Sequence, residues 1–222
     1  VMIERIILYI CMFLAVIVVL PFHEFAHGFA AVRCGDDTPK INGRYTLNPL
    51  AHFDLVGLIC FVFVGFGWAK PVPVNPYNFK KYKSGMVWVS IAGVLANYIL
   101  AFIAYPIWRL SARLPDMGYF DDVIYYTLNF IYLYNLTFIV FNLIPVYPLD
   151  GFRLIDATVP HYNPVYRFLR NYGQYILLVL IGLSFLSSWI PQLWFLDVLG
   201  IAMEWCADII GYPIRLFWGL FF

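Results

Sequence analysis

Ile6-Ile7-Leu8-Tyr9-Ile10-Cys11-Met12-Phe13-Leu14-Ala15-Val16-Ile17-Val18-Val19-Leu20-Pro21-Phe22 runs without a charge into His23-Glu24-Phe25-Ala26-His27. That junction decides the fold. The apolar run is long enough to enter a bilayer. At its end, two histidines four apart lie one above the other on a helix face. The spacing lets two imidazoles reach one Zn²⁺ while the intervening Glu24 points toward the metal's open position. On a soluble helix the same pattern is commonly a solvated His/Glu face. No solvated face is expected here, and ionisable groups at membrane depth are costly to insert. The competing reading is a buried structural His pair; the favoured chemistry is metal-assisted hydrolysis inside or just beneath a membrane.

Composition agrees. Of 222 residues, 63% are hydrophobic and 12% charged, against about 25% charged in ordinary soluble domains. The mean hydropathy is +0.77. This length suits a single domain, and no composition shift marks a second. A net charge of +1 with no basic stripe gives no reason to expect nucleic acid as a partner. Cys11, Cys34, Cys60 and Cys206 show no C-x-x-C spacing, so neither a disulfide framework nor a cysteine zinc site is indicated. The N-terminal run lacks a small-residue cleavage site and leads straight into His23, so it reads as a membrane helix rather than a removable signal.

Charge-free runs of about 20 residues predict spans. The expected fold is an all-α polytopic membrane protein with four transmembrane helices, over about 4–32, 84–108, 123–149 and 171–190. Residues 55–76 are too short and too rich in glycine and proline to cross. They read as a re-entrant β-hairpin-like segment beside the site, or as a loop lying on the membrane. Its strand edge, around Phe61–Phe66, suits an extended substrate. Residues 1–195 form the expected core. Residues 196–222, punctuated by Asp197, Glu204, Asp208 and Arg215 and interrupted at Gly211-Tyr212-Pro213, read as an interfacial tail made of a helix pair rather than as a fifth span. Pro21 either kinks the first helix or is tolerated within it.

Basic residues set the orientation. Arg33, Lys40, Arg44, Lys70, Lys80, Lys81, Lys83, Arg153, Arg167 and Arg170 fall in connections 33–83 and 150–170. The positive-inside rule puts those connections, and the metal motif opening onto them, on the cytoplasmic side of a multi-pass protein of the cell membrane. From Ile6 to His23 the helix rises roughly 25 Å of the ~30 Å hydrocarbon thickness, placing the metal near the cytoplasmic edge.

A catalytic zinc usually takes three protein ligands and leaves a fourth position open. Asp150, in Asn142-Leu143-Ile144-Pro145-Val146-Tyr147-Pro148-Leu149-Asp150-Gly151, reaches the same membrane face as His23 and is the expected third ligand; the bland alternative is a helix-end carboxylate. Asp36, Asp37, Asp54 and Asp156 sit in more polar stretches and read as solvated loop carboxylates. Glu24 is placed to take a proton from a water at the open position and pass it to the leaving amine. Asn142 is the candidate amide donor to the developing oxyanion. Asn97 is either a second such donor or a hydrogen bond between helices.

With these motifs in view the chain resembles the site-2 protease family of intramembrane zinc metalloproteases. The resemblance rests on His23-Glu24-Phe25-Ala26-His27 and on Asn142 with Pro148-Leu149-Asp150-Gly151. It rests also on Leu47-Asn48-Pro49-Leu50-Ala51-His52-Phe53-Asp54 and Gly67-Trp68-Ala69-Lys70-Pro71-Val72-Pro73-Val74-Asn75-Pro76. It covers roughly residues 5–190 and implies one Zn²⁺ per chain, held by His23, His27 and Asp150, with Glu24 as catalytic carboxylate. It implies a transmembrane protein or peptide as substrate within the lipid bilayer. No PDZ-like insert lies between the second and third spans and no nucleotide-sensing module follows the fourth, so a minimal form is expected. His52 and Asp54 read as structural. Two other functions compete: a membrane zinc hydrolase of a lipid or small amide, and a non-catalytic scaffold retaining structural zinc. An intact Glu24 argues against the scaffold.

Overall fold

The computed structural model describes residues 2–64, 67–115 and 117–221. Helix α1, Met2–Cys34, runs on through Pro21 without a break. At 33 residues it is about 50 Å long and outreaches the hydrocarbon layer at both ends. Two short helices follow, α2 at Thr38–Ile41 and α3 at Pro49–His52. Then come α4 at Leu55–Val64, α5 at Tyr82–Ser111, and α6 at Tyr119–Leu143. Helix α7 covers Asp150–Thr158, α8 Pro164–Trp189 and α9 Val198–Trp218. Four of these, α1, α5, α6 and α8, are long and apolar enough to cross a membrane, as the charge-free runs predict.

Two stripes of residues spaced four apart hold the centre together. On α1 the buried face includes Ala15, Val19, His23, His27 and Ala31. On α5 it includes Gly85, Val89, Gly93, Asn97 and Ala101. Small residues let the two backbones approach closely, which is how helices associate where lipid offers no hydrophobic contrast. Ile131, Leu136 and Ile139 of α6 complete the core with Ala15, Val19, Ala101 and Ala104.

The structure corrects the expectations in three places. The apolar part of the re-entrant segment is a helix, not a hairpin arm. Asp54 Oδ1 accepts from Gly57 N at 2.9 Å and starts α4, and the chain returns through residues 67–75 without helix. The contact with the return is one antiparallel bridge, Phe53 to Ala69, reinforced by Lys70 N donating to His52 O at 2.8 Å. An apolar segment without a long strand partner satisfies its backbone best by coiling on itself. One glycine's helix penalty of about 1 kcal/mol does not outweigh that. Gly57 is needed for the packing itself, since a Cβ there would fall 2.1 Å from Trp68 O. The strand edge expected around Phe61–Phe66 is therefore helical as far as Val64, and Gly65 and Phe66 lie outside the described residues.

The third span ends at Leu143, not Leu149, because Pro145 disfavours helix at Ile144. Residues 144–149 turn back, and Asp150 opens a separate helix. In the C-terminal stretch, Gly211-Tyr212-Pro213 causes no break: α9 continues through Pro213 to Trp218. Its Ala207 and Ile214 join the central core, and Trp218 Nε1 donates to Phe102 O at 3.0 Å. Packing against α5 and α6 keeps α9 helical despite the lost proline donor.

Candidate metal centre

His23 and His27 extend the buried stripe of α1, and Asp150 enters from the first turn of α7. All three are nearly inaccessible to solvent. Asp150 Oδ2 lies 3.3 Å from His23 Nε2 and 3.0 Å from His27 Nε2. The two Nε2 atoms are 3.0 Å apart. Bonds of about 2.0–2.1 Å to a tetrahedral zinc separate its ligand atoms by roughly 3.3–3.4 Å, so this triangle has nearly the edge lengths of one tetrahedral face. The orientation fits too. His27 Nδ1 donates to Val89 O at 2.7 Å, which leaves a lone pair on Nε2. Arg153 Nη1 donates to Asp150 Oδ1 at 3.2 Å and leaves Oδ2 for the histidines. Burial opposes ionisation of Asp150, but the facing imidazoles of His27 and His23 outweigh it and hold the carboxyl well below its ordinary range.

Glu24, adjacent on α1, is only partly buried. Its Oε2 accepts from Val72 N at 2.9 Å. Pro71 and Pro73 flank Val72 and carry no amide hydrogen, so the single donor of this tripeptide is the one aimed at Glu24. His23 and Glu24 open onto a cavity of about 520 Å³, bounded also by Trp68, Phe138, Asn142 and Ser184. Asn142 Nδ2 donates to Phe138 O at 3.0 Å, which leaves its second hydrogen to offer.

YwhC of Bacillus subtilis strain 168 is 43% identical over 156 residues, which is 66% of this chain and 68% of YwhC. The family model described as peptidase family M50 matches residues 116–184, the stretch holding Asn142 and Asp150. The chain belongs to peptidase family M50, the site-2 proteases. Rip2 of Mycolicibacterium smegmatis is 29% identical over 214 residues, covering 91% of this chain and 78% of Rip2. Rip2 of Mycobacterium tuberculosis H37Rv is 29% identical over 219 residues, covering 93% and 80%. These relatives are named as zinc metalloproteases. No solved structure matches the chain significantly. With its four apolar helices, the chain is thus a multi-pass membrane zinc metalloendopeptidase of the site-2 protease kind.

Not every feature of this M50 peptidase's centre is apparent from sequence. Gly93 of α5 lies against both imidazoles: a Cβ there would fall 2.5 Å from His23 Cε1 and 2.6 Å from His27 Nε2. Its signal is a glycine in the middle of an apolar helix, which sequence alone reads as packing. Gly151 abuts the backbone of Leu143 and Ile144, 2.4 Å and 2.6 Å from a built Cβ, so its smallness closes the turn that carries Asp150. Asp36 is not a solvated carboxylate; it is fully buried and accepts from Thr38 N, Asn75 N at 2.7 Å and Asn78 Nδ2 at 2.7 Å. Burial would raise its pKa, yet these bonds hold it below the usual value. Through them Asp36 pins the far end of the return segment that brings Val72 to Glu24. His52, also fully buried, bonds Thr46 O at 2.8 Å, and Arg44 ties Ala51 O to Lys70 O. Asp156 accepts from Tyr166 Oη at 2.6 Å, whereas Asp37 pairs with Lys40 at the surface as expected.

Proposed function

We propose that this peptidase holds its zinc on His23, His27 and Asp150 and cleaves membrane-embedded segments of protein substrates near the cytoplasmic face. The observation that carries the reading is the 3.0–3.3 Å triangle of ligand atoms with Glu24 beside its open side. Bound zinc supplies Lewis acidity, polarising the scissile carbonyl and making water easy to deprotonate near neutral pH. Glu24, anchored through Oε2, takes that proton on its remaining oxygen and returns it to the departing nitrogen. Asn142 offers its free amide hydrogen to the carbonyl oxygen as negative charge develops. A transmembrane helix hides its peptide bonds, so the substrate must be unwound; the extended residues 67–69 on the cavity wall are the place to pair with it.

Zinc analysis of the detergent-purified protein tests the ligand set. One zinc per chain is expected for the wild type, and nearly none for His23→Ala, His27→Ala or Asp150→Ala, because each removes one of three protein ligands. Full zinc in Asp150→Ala would move the third ligand elsewhere.

The cytoplasmic placement rests on the lysines and arginines of connections 33–83 and 150–170. In intact cells an impermeant thiol reagent should label Met117→Cys and spare Tyr77→Cys and Tyr162→Cys, all three positions being well exposed. The native cysteines are first replaced. The opposite pattern would put the chemistry on the outer face.

A further inference from the structure

Two of the three ligands have a visible second anchor: Val89 O holds His27 Nδ1 at 2.7 Å, and Arg153 holds the outer oxygen of Asp150 at 3.2 Å. His23 does not. Its Nδ1 is buried without a hydrogen-bond partner among the described residues, and so are both side-chain polar atoms of Asn97, a residue with no exposed surface. An unpaired imidazole N–H and an unpaired amide are each expensive in an apolar interior.

Both orphans lie on the facing buried stripes of α1 and α5. Val89, Gly93 and Asn97 are spaced four apart on the buried face of α5. Val89 meets His27, and a Cβ at Gly93 would lie 2.8 Å from His23 Nδ1. Asn97 therefore projects from the same face, about 5–6 Å beyond Gly93. Histidine 23 stands one turn before His27 on α1, on the side of His27 toward which Asn97 lies. The order along the two helices matches: Val89 meets His27 at one end, Gly93 lies against both rings, and Asn97 follows on the side of His23.

We infer that Asn97 is the positioning residue for His23: its carbonyl oxygen takes the Nδ1 hydrogen, directly or across one water, and so fixes the tautomer that presents Nε2 to the metal. The stripe 89, 93, 97 then serves the centre as a unit, with two acceptors flanking a gap that admits both rings. The inference rests on His23 being a zinc ligand.

The test uses the full-length protein in detergent, with zinc affinity read by chelator competition and His23 read by ¹⁵N NMR of histidine-labelled, zinc-loaded samples. Asn97→Leu, of similar size but without an acceptor, should bind zinc about 10- to 100-fold more weakly, the usual loss on removing a ligand's outer partner. Asn97→Asp restores an acceptor and should recover affinity to within a few fold, while shifting the Nδ1 hydrogen resonance downfield. Should Asn97→Leu fail to fold, the Asn97→Asp shift alone decides. Unchanged zinc affinity in Asn97→Leu, with only a lower unfolding temperature of the metal-free protein, would make Asn97 a packing residue between helices and overturn the inference. So would an Asn97→Asp resonance identical to that of the wild type. If His23→Ala itself retains zinc, the ligand assignment has failed instead, and the two failures are distinguishable.

Discussion

Glu24→Gln is expected to lower peptide-bond turnover by about 10²–10⁴-fold, the usual contribution of a positioned general base. Zinc content and helical content should stay at wild-type levels. The substitution is unusually clean here because the glutamine carbonyl can still accept from Val72 N, the contact made at 2.9 Å by Oε2. The side chain thus keeps its anchor and its place beside His23, and only the second oxygen is exchanged for an amide that cannot take a proton. A turnover assay on a membrane peptide, run beside zinc analysis of the same preparation, checks it. Near wild-type turnover would remove Glu24 from the chemistry. Loss of zinc would show instead that its charge supports the metal. The bond to Val72 adds a comparison: shortening the arm in Glu24→Asp keeps a base but breaks that contact, so turnover should fall between the two.

What could be read before the fold was known was whatever is encoded locally. Two histidines one helical turn apart declare their common face wherever the helix lies, and a charge-free run declares a span. Asp150 required one further step, that successive spans alternate in direction and so bring residue 150 back to the side of residue 23. The remainder depends on partners far away in sequence. Asp36 sits among Gly35, Asp37 and Thr38 and looks solvated; what buries it is Asn75 and Asn78, some forty residues later. Helix α4 was hidden by Gly57 and the glycines that follow it, since the close approach of Trp68 O to Gly57 is invisible without the return segment. At Pro213 the rule that proline breaks helices yields to packing of α9 on α5 and α6. Local rules fail here where a partner distant in sequence decides the outcome.

Gly93→Ala should show this in a single methyl group. The added Cβ would stand 2.5 Å from His23 Cε1, 2.6 Å from His27 Nε2 and 2.8 Å from His23 Nδ1. All three contacts are shorter than non-bonded atoms tolerate, so something must move. His27 cannot swing away without giving up Val89 O on one side and Asp150 on the other. The remaining choices are an off-rotamer His23 or a separation of α5 from α1, and overpacking of this kind costs about 1–3 kcal/mol. At about 1.4 kcal/mol per factor of ten, zinc affinity should drop roughly ten- to a hundred-fold. Turnover should fall further, because a displacement near 1 Å of the reacting groups alone costs about 10²-fold. Gly182→Ala is the control: on α8 a built Cβ meets nothing within 4 Å, so alanine's better helix propensity should leave zinc and turnover untouched and stabilise by up to about 1 kcal/mol. Chelator competition on both variants reads the difference. Wild-type zinc affinity in Gly93→Ala would mean that the stripe on α5 has slack, and that the histidines are placed by α1 and Asp150 alone.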